Sequence, residues 1–320
     1  MNQTKPLTNT AKIDFAVGGQ AVLEGVMMRS PNYNIVSVRA PDGKIKEKSE
    51  YYQNLTKRIN WLSIPILRGV INMFEMMWIG TKALGFSSKI ALNEDSETEG
   101  SFMENLSVVF SIIFALGMSL LLFKFLPLWI TDFLSHSFNA INQNYLIYNL
   151  IDGLLKTTLF VGYIALLNLL PDVRRVFMYH GAEHKSIMTY EQGLDLTVAN
   201  ARNQTRFHPR CGTSFILIVF LFSIFIFTAV PRQDSFVINF LVRLAFLPII
   251  AGISYEMLKL SAKLKDNFIL KLISAPGLLM QKLTTLEPDD QMLEVALNSL
   301  KLALTAEQKQ ISNHESSKVL

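Results

Sequence analysis

Three of the five histidines and the single cysteine of this 320-residue chain fall in one polar stretch between two apolar runs. It opens with His180-Gly-Ala-Glu183-His184-Lys185 and closes with His208-Pro-Arg-Cys211-Gly212. A helix over Asp172 to Gln192 puts His180 and His184, four apart, on one face with Glu183 beside them. Two imidazoles so placed are a ready pair of ligands for zinc or a similar divalent ion. The order His-x-x-Glu-His is that of the inverted zincins, in which the glutamate acts as general base toward water. The plain alternative for these five residues is a surface helix with two solvated histidines. His208 and Cys211 add two more ligand-type side chains just before the next apolar run. The alternative for them is a hydrogen-bonded loop with an inert buried thiol. Glu256, in Gly252-Ile-Ser-Tyr255-Glu256, is a further candidate ligand, with an arginine partner or a helix-end role as its other reading. The expected site is therefore Glu183 as catalytic base, with His180, His184, His208, Cys211 and Glu256 as metal ligands.

The elements around this stretch have to be membrane-embedded. Half of the residues are hydrophobic and 18% are charged, and mean hydropathy is +0.29. That is too apolar for an average soluble domain. The formal charge of +4 is mild and gives no reason to expect nucleic acid. One cysteine excludes an internal disulfide. The first residues lack the apolar core of a signal peptide. Four runs are long enough to cross a bilayer: Leu106 to Ile130, Tyr145 to Leu170, Thr213 to Val230 and Phe236 to Leu258. Asp152, Lys156 and Arg243 lie inside them. Asp152 and Arg243 are at matching depths, which predicts that they face each other; Lys156, one turn from Asp152, is the other candidate partner.

Basic residues collect at Arg174, Arg175, Lys185, Arg202, Arg206 and Arg210, whereas the links 131–144 and 231–235 hold one arginine, Arg232. The positive-inside rule then puts both termini and the loop 171–212 in the cytoplasm. Around the spans, residues 1–14 and 306–320 read as disordered and 93–105 as an acidic linker. Residues 15–60 read as a small β-containing cytoplasmic module: a buried strand with one paired acid, Glu24, then a hairpin around Pro41-Asp42-Gly43. Gly18-Gly19 marks a turn or a close backbone approach. In 61–92, Trp61, Ile64, Leu67, Ile71, Phe74 and Trp78 recur at helical spacing, which predicts interfacial or re-entrant helices. Residues 259–305 read as amphipathic tail helices that cover the site loop, with Pro288-Asp289-Asp290 starting the second.

Several motifs together resemble the YqhQ family of bacterial membrane proteins. They are GGQAVLEGVMMRSP (Gly18 to Pro31), HGAEHK, HPRCGTSF, GISYE and KLTTLEPDDQMLEVA (Lys282 to Ala296). The resemblance runs from about residue 15 to 305 and departs at Leu286, where the family carries arginine. It implies a bacterial membrane protein with a domain of unknown function, often labelled a metal-dependent enzyme, and supplies no reaction.

The chain is thus expected to be mainly α, a polytopic protein of the inner (cytoplasmic) membrane with four transmembrane helices. Its expected partners are the lipid bilayer and a membrane protein. The leading functional reading is a zinc-dependent membrane hydrolase of unknown substrate. The alternatives are a non-enzymatic scaffold or assembly factor whose His/Cys loop is structural, and a transporter built on the intramembrane charges.

Overall fold

The computed structural model describes residues 17–93, 102–209, 211–263 and 268–316. The segments expected to be a disordered N-terminus and, for its central part, an acidic linker lie outside them. Four antiparallel strands form a meander in the order β1-β2-β3-β4: β1 (Gly18–Val22), β2 (Gly25–Arg29), β3 (Tyr33–Arg39) and β4 (Ile45–Tyr51). The β3–β4 pair is the hairpin read from Pro41-Asp42-Gly43. The stretch before it is two strands, not one. Val22 pairs with Gly25, so the chain reverses through Leu23 and Glu24, and Glu24 takes a φ of +49°. At Gly25 a β-carbon would come within 2.3 Å of the Ser37 carbonyl oxygen, so the strand needs glycine there.

The helices follow in order: α1 (Leu55–Arg58), α2 (Leu67–Ala91), α3 (Phe102–Leu120), α4 (Leu126–Ser137), α5 (Asn139–Gln143), α6 (Tyr145–Leu167), α7 (Pro171–Glu191), α8 (Val198–Arg202), α9 (Gly212–Thr228), α10 (Phe236–Ala245), α11 (Leu247–Lys263), α12 (Phe268–Thr284) and α13 (Asp290–Ser316). One π-helical turn, Leu121–Phe125, joins α3 to α4.

Strand alternation gives the sheet two apolar faces. Val26, Met28 and Ile35 pack against Tyr179, Ala182 and Ile187 of α7 and Met292, Leu293 and Leu300 of α13. Val22, Met27, Val36 and Val38 pack against Ile79 and Ala83 of α2. The part built on the sheet is therefore three layers: α2, the sheet, and the α7–α13 pair.

Two further segments pack against the sheet. Residues 61–92 contain one long helix that covers the sheet, and Trp61, Ile64, Phe74 and Trp78 remain exposed on its outer side and in the turn before it. In the tail, α13 is part of the central core, and its helix runs to Ser316 through the segment expected to be disordered. Buried Glu307 ties that extension down, accepting from Ser30 Oγ at 2.8 Å and Asn32 N at 3.1 Å.

Among the described residues, three helical stretches are long and apolar enough to cross a membrane: Val109–Ser137, Tyr145–Leu167 and Phe236–Leu260. The fourth expected span, α9, is apolar but has 17 residues. Cys211 stands at its N-cap position, and it ends three residues before Pro231. Its length is about 25 Å, against roughly 30 Å of hydrocarbon.

Candidate metal centre

Pro171 at the first helical position and Asp172 in the first turn start α7 where α6 ends. The middle of α7, from Gly181 to Ile187, is buried. Helical spacing brings the His180 and His184 rings together edge to face, with centroids 4.5 Å apart.

Both rings are oriented through Nδ1. His180 Nδ1 lies 2.8 Å from the Thr284 carbonyl oxygen at the end of α12. His184 Nδ1 lies 2.6 Å from the Arg206 carbonyl oxygen. A carbonyl only accepts, so each Nδ1 carries a proton, and in the neutral ring Nε2 keeps its lone pair. That lone pair on His180 faces Cys211, with Nε2 at 3.3 Å from Sγ. His184 also reaches the Cys211 side chain. One ligand atom from each of His180, His184 and Cys211 can be chosen so that all lie within 4.8 Å of one another. Two imidazole nitrogens and a sulfur in one small volume are a donor set suited to zinc. Burial holds the His184 imidazole below its ordinary value, opposed by its contact with Cys211.

His208 sits at the edge of this group. Its ring centroid is 5.6 Å from that of His184, and its Nε2 is 3.4 Å from Glu191 Oε1. Its main chain is clamped by Gln281, whose Oε1 accepts from His208 N and whose Nε2 donates to His208 O, both at 2.8 Å. Glu183 turns from the histidine face toward the sheet and accepts from the Gly19 amide. Burial raises its carboxyl above the ordinary range, and His180 and His208 oppose that. Glu256 is not in the group. Arg68 of α2 grips both its oxygens, with Nε to Oε1 at 2.6 Å.

Sequence reasoning did not name Gln281, Thr284 or the Arg206 carbonyl. Thr284 lies inside the motif KLTTLEPDD and Gln281 directly before it, and that adjacency was the only signal. Main-chain acceptors leave no residue-type signature.

Residues 64–306 match the family described as "Protein of unknown function (DUF1385)". A protein of Bacillus subtilis (strain 168) described as "Uncharacterized protein YqhQ" is 38% identical over 317 residues, which cover 95% of this chain and 98% of that protein. No solved structure matches.

Proposed function

The chain belongs to the DUF1385 family, and we propose that it is a four-span membrane enzyme with a cytoplasm-facing divalent metal centre, zinc by its donor set, at His180, His184 and Cys211. The observation that carries this is the orientation of the two imidazoles. Main-chain carbonyls hold both Nδ1 protons, which is how ligating histidines are generally fixed. Three protein ligands leave one position for substrate, the arrangement of catalytic rather than structural zinc. A bound ion supplies Lewis acidity to a substrate oxygen, and hydrolysis is the reaction class we assign. Glu183 is our candidate for proton transfer.

Connectivity supports α9 as the fourth crossing. The sheet, α7 and α13 form one packed core, so the chain must return to that side after Phe236–Leu260. Arg232, in the link after α9, pairs with Asp132 in the second half of α4 at 2.7 Å, which fits a common outer side. The basic loop then faces the cytoplasm. The exposed Trp61, Ile64, Phe74 and Trp78 fit contact with the bilayer surface.

A second reading, a scaffold with a structural metal, is favoured by Glu183, whose carboxyl is engaged by the sheet. His208 would then close the site as fourth ligand. Metal analysis of detergent-purified protein should give close to one ion per chain, lost in His184→Ala and kept in Glu183→Gln. No metal in the wild type sinks both readings. In cobalt-loaded protein, added azide should shift the visible bands; bands indifferent to azide select the scaffold.

A further inference from the structure

The membrane-crossing helices bury more positive than negative charge. Lys124, Lys156 and Arg243 are all buried, at 6%, 3% and 2% exposure. The carboxylate they share is Asp152, at 1%. Both Lys156 and Arg243 pair with it. Lys124 lies close enough to feel Asp152, Lys156 and Arg243, and its ammonium stands 5.1 Å from the centre of the Phe227 ring. The Arg243 guanidinium is 4.7 Å from the same ring. Three cations and one carboxylate leave a formal excess of two positive charges.

Such an excess is unfavourable in hydrocarbon, where buried charges are normally paired. Arginine stays charged in proteins, so Arg243 and Asp152 neutralise each other and the two lysines are left over. The donors divide the same way. Arg243 directs Nε to Asn239, Nη1 to Asp152 and Nη2 to Asn149. Lys156 gives one hydrogen bond to Asp152, so most of the ammonium N–H groups of the lysine pair remain for a ligand. Asp152 Oδ1 is buried without a hydrogen-bond partner, so the cluster also has unfilled acceptor capacity. Lys124 stands in the π-helical turn Leu121–Phe125, a local distortion that recurs at functional sites.

We propose that Lys124 and Lys156, backed by Arg243, form an intramembrane binding site for a phosphate-class anion. Its negative oxygens meet the ammonium groups, and where the anion is inorganic phosphate its protonated oxygen can donate to Asp152 Oδ1. Asp152 and Arg243 each lie seven residues inside the start of their helices at Tyr145 and Phe236, roughly 10 Å along the axis. That depth suits a lipid phosphate drawn inward or a free ion entering from the outer side. The site is separate from the His/Cys centre and does not rest on the metal reading.

The test uses the full chain, delipidated in a maltoside detergent that carries no phosphate, read by thermal unfolding and by native mass spectrometry. One arm titrates inorganic phosphate. The other adds phosphatidylglycerol with no inorganic phosphate present. Stabilisation with a retained adduct is expected in at least one arm; the first alone identifies a free anion, the second alone a lipid headgroup. Lys124→Met should weaken the response at least tenfold, whereas Lys124→Arg, which keeps the charge, should stay within about threefold. Where Lys124→Met does not fold, Asp152→Asn serves instead and should tighten binding by removing the competing negative charge. No response in either arm, or an undiminished response in folded Lys124→Met, overturns the proposal. So does weaker binding in folded Asp152→Asn.

Discussion

Gly19 on β1 lies so close to Glu183 on α7 that no side chain fits between them. A β-carbon at Gly19 would stand 2.8 Å from Glu183 Oε1 and 2.7 Å from the Met27 carbonyl oxygen. The carboxyl side chain and the strand backbone that crowd it are both buried, so neither can move freely. Gly19→Ala should therefore destabilise the protein by about 2–3 kcal/mol through overpacking. Thermal unfolding in detergent measures this, and Gly18→Ala is the control, since nothing lies within 4 Å of a β-carbon there. Equal stability of the two variants would show that α7 does not seat on β1 as described.

The Arg68–Glu256 pair joins α2 to α11 with both side chains about three-quarters buried. Glu256→Gln keeps the shape and removes the charge. It should lower stability by ~1 kcal/mol, the top of the range for exposed pairs, and leave metal content unchanged. Loss of metal in this variant would return Glu256 to the ligand set.

What could be read from the sequence was what rests on periodicity and charge. His180 and His184 share a face because a helix repeats every 3.6 residues, and Asp152 and Arg243 meet because their depths match. The hairpin turn at Leu23-Glu24 was hidden because it uses neither glycine nor asparagine. The role of α13 was hidden for a different reason. An apolar helical stripe looks the same whether it faces a bilayer or a β-sheet, and only Ile35, Met28 and Val26 across from it decide. The His180, His184 and Cys211 group was legible in its side chains and illegible in its orienting carbonyls.

Orientation is open to chemical labelling. A cysteine at exposed Ser137, the end of α4, should react with an impermeant maleimide added to intact cells. One at exposed Gln308 on α13 should react only after permeabilisation. Native Cys211 is buried and should contribute little background. The reverse pattern would put the basic loop and the His/Cys group outside the cell and overturn the topology.

The last turns of α13 provide a test of the tail. Glu307 is 3% exposed and accepts from the Ser30 hydroxyl, the Asn32 amide and the Asn32 side chain. Those groups form the tight connection between β2 and β3, so one carboxylate fastens the C-terminal helix to the sheet. Glu307→Ala removes the acceptor and strands three donors where water has little access, at a cost of about 2–3 kcal/mol. Glu307→Gln retains one acceptor oxygen and should recover part of this. Truncation after Ala306 should match the alanine variant or exceed it. If truncation after Ala306 has no effect on thermal unfolding, the helix beyond that point contributes nothing to the fold, and the segment behaves as its polar composition suggests.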